Sequence, residues 1–286
     1  MKKTALLSLL FAFGVQFTSH AQWLEKKGNG YFKLGVWSII ADKHYTDTGE
    51  IDPNATRGNF NVSLYTKFGL SKNWNAIVYI PFYVKSYQNR QVSTVTNNEL
   101  LKGEEFSSIG DMNIGVEYRL FKKSKHAFST VLTLGIPSGN SQGGSDGSYQ
   151  TGDGEFNQQI RFNAGTTFKI HKQAFYSKGS FGFNNRTEGF SDELRAGVEL
   201  GSGFFNKKLF IILRSNIVKS LKNGSLNATT SNGSLFTNNI EFTGIGGEIS
   251  WKFTNLGVSL GYQTAVSGKL IYAAPSYSAG VFYLLR

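Results

Sequence analysis

Apolar and polar residues alternate along most of this chain with a period of two. At that spacing, successive side chains of a β-strand fall on opposite faces. Between positions 60 and 70, Phe60, Val62, Leu64, Phe68 and Leu70 share one parity, while Asn61, Ser63, Tyr65 and Lys67 share the other. The next run sets Trp74, Ala76, Val78, Ile80, Phe82 and Val84 against Asn75, Ile77, Tyr79, Tyr83 and Lys85. The alternation returns over 111–120, 128–136, 157–170, 193–200 and 258–266. Many runs last about ten residues or more, which is what a tilted strand needs to cross a bilayer. A soluble β-sandwich also alternates, but its strands are shorter and its outward face is polar.

The connections alternate as well. Segments 71–73, 122–126, 171–173, 205–208 and 254–256 are short, whereas 41–57, 87–105, 138–155 and 222–238 are long and polar. Long outer loops and short periplasmic turns produce this asymmetry in outer-membrane barrels. The pattern predicts an all-β fold: one closed, antiparallel transmembrane β-barrel of about twelve strands. They begin near Gly30, Gly58, Trp74, Ser107, Ala127, Phe156, Ala174, Asp192, Leu209, Ile240, Leu256 and Ser276. Ten or fourteen strands remain open. In the first strand, Phe32, Leu34 and Val36 compete with Tyr31, Trp37 and Ile39 for the apolar face. The strand from Ile240 changes phase near Gly244–Gly247, as at a β-bulge. An open sheet edge in hydrocarbon would leave backbone groups without partners, so the segment 276–286 must pair with the first strand.

Ahead of the strands, Lys2 and Lys3 precede an apolar run, Ala5–Val15, and then Ser19-His20-Ala21, a small-x-small cleavage site. This reads as a secretory signal peptide over 1–21, with the barrel domain over 22–286 and the bacterial outer membrane as destination. The apolar run is too short to span a bilayer as a helix. With no cysteine, an exported chain of this size is held by its core or by closure of its sheet rather than by disulfides. The 33 glycines, 24 phenylalanines and 13 tyrosines suit tight turns and aromatic girdles. Mean hydropathy is −0.23, a value diluted by loops and lumen residues. The formal charge is +11, with two of the lysines in the leader. For an exported chain without a nucleic-acid motif, that balance points to anionic headgroups or anionic solutes and away from nucleic acid. The expected partners are outer-membrane lipids, the barrel assembly machinery and a small-molecule solute.

The run Ile109–Leu120, IGDMNIGVEYRL, resembles the GxGDxxxGxKYR strand of an outer-membrane barrel family linked to the meta-pathway of phenol degradation. Ile136–Asn140, IPSGN, and Thr151–Gln158, TGDGEFNQ, resemble that family's P-(S/T)-G loop entry and following strand. Glu117 stands where the family frequently has lysine. The resemblance covers under a third of the chain. It implies a channel for small, often aromatic compounds and assigns no substrate residue.

Charges cannot face lipid cheaply, so those within strands belong to the lumen. The cations are Lys67, Lys85, Arg119, Arg161, Lys169, Arg195, Arg214 and Lys252; the anions are Asp111, Glu117, Glu193, Glu199 and Glu248. They form either a charge filter or a salt-bridge lattice that stiffens the interior. Tyr65, Tyr79, Tyr83 and Tyr176 share that face, to stack a solute or merely to pack. The expected pore-lining residues are Tyr79, Tyr83, Glu117, Arg119, Arg161 and Glu199. The loop 138–155 carries Asp146, Asp153 and Glu155 without Ca²⁺-loop spacing, so it reads as a solvated surface loop. His44, near Asp42, Asp47 and Asp52, is the one conceivable catalytic histidine; no zinc spacing or G-x-S-x-G motif occurs. The leading expectation is passive solute passage with no catalytic residue, metal or cofactor. The alternatives are a non-conducting surface scaffold whose loops bind a partner, and a barrel enzyme acting on outer-leaflet lipid or peptide.

Overall fold

The computed structural model describes residues 24–226 and 235–286, so the expected signal peptide lies outside it. Twelve long strands form the wall. They are β1 (Gly30–Tyr45), β2 (Ile51–Gly69), β3 (Trp74–Gln88), β4 (Met112–Lys123), β5 (His126–Ile136), β6 (Asn157–Ile170), β7 (Gln173–Arg186), β8 (Glu193–Phe204), β9 (Leu209–Ser220), β10 (Glu241–Lys252), β11 (Leu256–Lys269) and β12 (Pro275–Leu285). Each pairs antiparallel with its sequence neighbours, and β12 returns to β1 from Gly30↔Leu285 to Ile39↔Ser276. The sheet therefore has no free edge, as hydrocarbon demands. A segment before β4, Glu104–Ser108, continues the pairing along the upper part of β3.

The start of β1, the end of β12 and the short turns share one end, the periplasmic end of such barrels. Two of these turns contain only two residues: Ser124-Lys125, with Ser124 at φ 50°, and His171-Lys172, with His171 at φ 52°. Positive φ lets a two-residue turn match the twist of its strands.

The outer face is a band of exposed apolar side chains, among them Leu34, Ile114, Leu132, Phe162, Phe181, Val198, Leu213, Ile249 and Leu260. Aromatic pairs edge the band. Trp74 meets Tyr118 at 4.6 Å and Phe205 meets Trp251 at 6.3 Å beside the periplasmic turns; Tyr262 meets Tyr277 at 5.6 Å nearer the other end. The competing phases of β1 resolve with Leu34 and Val36 outward, while Tyr31, Lys33, Gly35 and Trp37 line the lumen. A register shift does fall at Thr243/Gly244, but the extra residue, Val266, belongs to the partner strand β11.

Two expectations need correction. The first outer connection is not 41–57: β1 runs to Tyr45 and β2 starts at Ile51, because their pairing continues past Lys43↔Pro53. Nor does Tyr83 face the lumen. Across from Val62 and Leu64, β3 carries one extra residue at Pro81-Phe82, so Tyr83 pairs with outward-facing Val62. Its ring is 39% exposed and lies edge-on to Phe60, while Val84 turns inward at 3% exposure. A bulge reverses every side chain beyond it. Lys85 follows Tyr83 outward and pairs with Glu105.

Leu260, at 68% exposure, tests the lipid face. Leu260→Arg should cost about 2–4 kcal/mol of folding stability, the range for a basic residue near the midplane. Urea unfolding in phospholipid vesicles measures it; an unchanged midpoint would refute the assignment of this face.

Candidate functional site

The interior is not filled by side chains. Inward-facing Gly35, Ser63, Ser250 and Ser278 leave a cavity of about 1030 Å³, walled by Tyr65, Tyr79, Lys33, Arg214 and Glu248. A second cavity of about 310 Å³ lies toward the long loops and is mostly apolar, with Ile39, Phe242, Tyr272 and Ala274 in its wall. Trp37, Asp153, Arg195 and Leu235 border both. The lumen thus holds two adjoining chambers, each with apolar wall and charged groups.

The outer chamber is narrowed by the loop 137–156, which folds inward. Asp111 draws it in: its carboxylate accepts the amides of Gly139 and Asp153, both at 2.8 Å. Ser138 Oγ donates to Gly110 O at 2.7 Å and accepts Met112 N at 3.1 Å. Asn140 and Thr151 bond to each other across the loop's neck. Gly152 must be glycine, because a Cβ would lie 2.2 Å from the Asp111 carboxylate. Arg186 then clamps the loop's exit, donating to Asp153 at 2.9 Å, Glu155 at 2.7 Å and Glu193 at 3.1 Å. Tyr149, Thr151 and Glu155 are buried in consequence, which corrects the expectation of a solvated surface loop. The three stretches that resemble the meta-pathway family, 109–120, 136–140 and 151–158, meet in this knot.

The periplasmic end is closed by the chain's own beginning. Leu24 is 2% exposed and borders a small space inside the barrel shared with Ala127, Ser129 and Asn163. Asn75, fully buried, holds the segment: with its amide turned to satisfy both bonds, it accepts Glu25 N at 2.7 Å and donates to Glu25 O at 3.2 Å. The segment crosses so close to β2 that a Cβ on Gly69 would lie 2.0 Å from the Lys26 carbonyl oxygen.

Of the expected pore-lining residues, Tyr79 borders the large cavity, its hydroxyl accepting Asn61 Nδ2 at 2.9 Å. Glu117 lies lower, bridged to Lys67 at 2.6 Å and bonded by Ser129 at 2.6 Å. Arg119 borders the same small space as Glu117. Glu199 accepts Tyr176 and Arg214, each at 2.7 Å. Arg161 Nε is buried without a partner. Tyr83 is the one placed outside. Lys33, Lys178 and Arg186 were not singled out. On β7 the polar parity Tyr176, Lys178, Ser180, Asn184 and Arg186 marks the inward face, a signal weakened because the opposite parity holds Ser177, Gly179 and Asn185.

The fold is similar to that of solved outer-membrane barrels. An outer-membrane channel from Pseudomonas putida F1 superposes with a TM-score of 0.57 at 11% identity, covering 94% of this chain and 100% of that one. The NanC porin (TM-score 0.48, 8% identity) and the KdgM porin in complex with disordered oligogalacturonate (0.48, 7%) cover 87% and 88% of this chain and 98% of their own. The chain folds as an outer-membrane β-barrel. No family model matches the sequence, and no curated protein matches it either.

The knot makes the barrel's outer closure sensitive to pH. Among the described residues, Asp111, Asp153, Glu155 and Glu193 face two guanidiniums, Arg186 and Arg195. Burial pushes the Asp153 carboxyl up to about 6 against the pull of Arg186, and Asp111 adds to the rise. A folded-state value above the ordinary 3.8 means that this group favours the closed loop most below 3.8, and that the contribution is lost as pH rises through 6. Proteolysis of 137–156 should therefore quicken from pH 5 to pH 7 in the wild type and quicken less in Asp153→Asn, where only Glu155, also raised by burial, still titrates upward. Arg186→Ala, which strands Asp153 and Glu155 and leaves Glu193 to Arg195, should loosen the loop by about 3–5 kcal/mol, seen as cleavage at every pH in the same assay.

Proposed function

We propose that this barrel is a passive conduit for small solutes with an apolar, often aromatic, body. The observation that carries the reading is the continuous pair of cavities inside a closed wall. A scaffold needs no such space, and interiors are otherwise packed to the density of organic crystals. The outer chamber offers Trp37, Phe242 and Tyr272 for apolar and stacking contact, and the inner chamber offers Tyr65, Tyr79 and charged groups for polar ends. The resemblance to the meta-pathway family points to the same solute class. Within this reading Tyr79, Glu117, Arg119, Arg161 and Glu199 line the route. A catalytic role for His44 has little to support it: the ring is 3% exposed and its Nδ1 is buried without a partner among the described residues, so no carboxylate orients it there.

Leu24 narrows the exit, so passage requires the N-terminal segment to shift. Asn75→Ala removes both side-chain bonds to Glu25 and should raise the permeability. Liposome swelling with a series of sugars, aliphatic acids and aromatic acids tests this: aromatic acids should pass fastest, and Asn75→Ala should pass all of them faster than the wild type. If neither protein swells liposomes with any solute, the conduit reading fails and the scaffold takes its place.

A further inference from the structure

Charge pairing inside the lumen is uneven. Among the described residues, Glu117 is bridged to Lys67, Glu199 to Arg214, Glu248 to Lys33, Glu193 to Arg186 and Arg195, and Glu241 to Lys219. Asp111 is committed to two loop amides. Arg119, Arg161 and Lys178, by contrast, have no carboxylate within bridging distance, and Arg161 Nε lacks any acceptor. Arg119 and Lys178 border one small cavity of about 20 Å³ beside Leu24, together with the bridged pair Lys67 and Glu117. Arg161 is close enough to act electrostatically on Lys178, as Glu199 and Glu117 are, and on Tyr65.

Like charges gathered out of bulk water repel one another unless something of opposite sign joins them. Side-chain entropy gives long cations no reason to converge without a counter-charge. Glu117 and Glu199 reach this group, but each is already bridged, to Lys67 and to Arg214, so the cations outnumber the carboxylates and the remaining counter-charge comes from the solution. Guanidinium and ammonium groups bind carboxylates through charge-assisted hydrogen bonds. The free space is that of roughly one water molecule, so the site grips an anionic end rather than a whole solute.

We infer that Arg161, Lys178 and Arg119 form an anion-binding site at the narrow periplasmic end of the lumen, which takes the carboxylate of a small organic acid and draws it past Leu24. The transport consequence rests on the conduit reading above; the binding itself does not. Chloride serves as the probe. The ³⁵Cl resonance of NaCl should broaden with the purified barrel in non-ionic detergent, and benzoate should reverse the broadening. In Arg161→Ser/Lys178→Ser the affinity should fall about tenfold or more, given the strength of hydrogen bonds to charged groups. Lys219→Ser, far from the site and paired with Glu241, should behave as the wild type. Heat-modifiable gel mobility confirms folding, and Arg161→Gln, with the same expected direction, stands in if the double variant does not fold.

Absence of excess broadening in the wild type, or broadening undiminished in the folded variants, overturns the site. Chloride binding that benzoate fails to reverse overturns the carboxylate assignment. Planar bilayers under a tenfold KCl gradient separate this inference from the conduit reading. A steady current with a chloride-favouring reversal potential, shifted toward zero in the double variant, supports both. A current without ion preference removes the site and keeps the conduit; silence in the bilayer with chloride binding intact keeps the site and removes the conduit.

Discussion

Hydrocarbon offers a peptide group no hydrogen-bond partner, and the rest of this structure follows from that. Every strand must find two neighbours, so the sheet closes through β1 and β12. Closure creates an inside and an outside, and the period-two geometry of extended chain assigns each residue to one of them. The outside can then be apolar without penalty, as Leu213 and Leu260 are. The inside must take every charge that the strands carry. A twelve-stranded wall encloses more space than its own side chains need, and serine and glycine at inward positions keep part of that space open.

What narrows the opening is polar rather than apolar. At the outer end Asp111 and Arg186 pull the loop 137–156 into the mouth through amides and carboxylates. At the periplasmic end the buried amide of Asn75 grips two backbone groups of Glu25, and Leu24 follows into the barrel. Both devices work by satisfying groups that burial would otherwise leave unpaired. Each is reversible in principle, since the backbone groups it holds can be rehydrated, whereas the wall between them cannot open in lipid at all.

The wall was legible in the sequence because lipid and lumen impose opposite polarities on adjacent residues. Alternation therefore located the strands, and all but one strand start fell within a few residues of where the pattern placed it. Tyr83 was not legible, because a single extra residue at Pro81-Phe82 reverses phase without altering composition: Val84 and Phe82 are apolar on either count. The second strand was started late because Ile51–Ala55, with Asp52 and Pro53, reads as loop; it extends only because β1 continues alongside it. The inward loop was missed for a different reason. Gly- and Ser-rich sequence usually signals solvation, but here glycine is what allows the backbone to approach Asp111. Short-range pattern cannot announce a partnership between Asp111 and Asp153, 42 positions apart. The plug at Leu24 lies in a stretch too brief to show any periodicity.

Sequence alone left the lumen charges open between a lattice and a filter, and the pairing separates the two by position. A lattice whose sole task was to fill and stiffen would gain most by pairing each cation with a carboxylate, since an unpaired charge in a confined interior is costly. Most cations of the outer and middle lumen follow that rule: Lys33, Arg186, Arg195 and Arg214 have carboxylates, while buried Arg57 bonds the Gln88 amide oxygen instead. The rule fails for Arg119, Arg161 and Lys178, toward the end of the barrel where Leu24 stands inside. Stiffness therefore does not account for three cations kept together at that point, whereas attraction of a passing anion toward the constriction does.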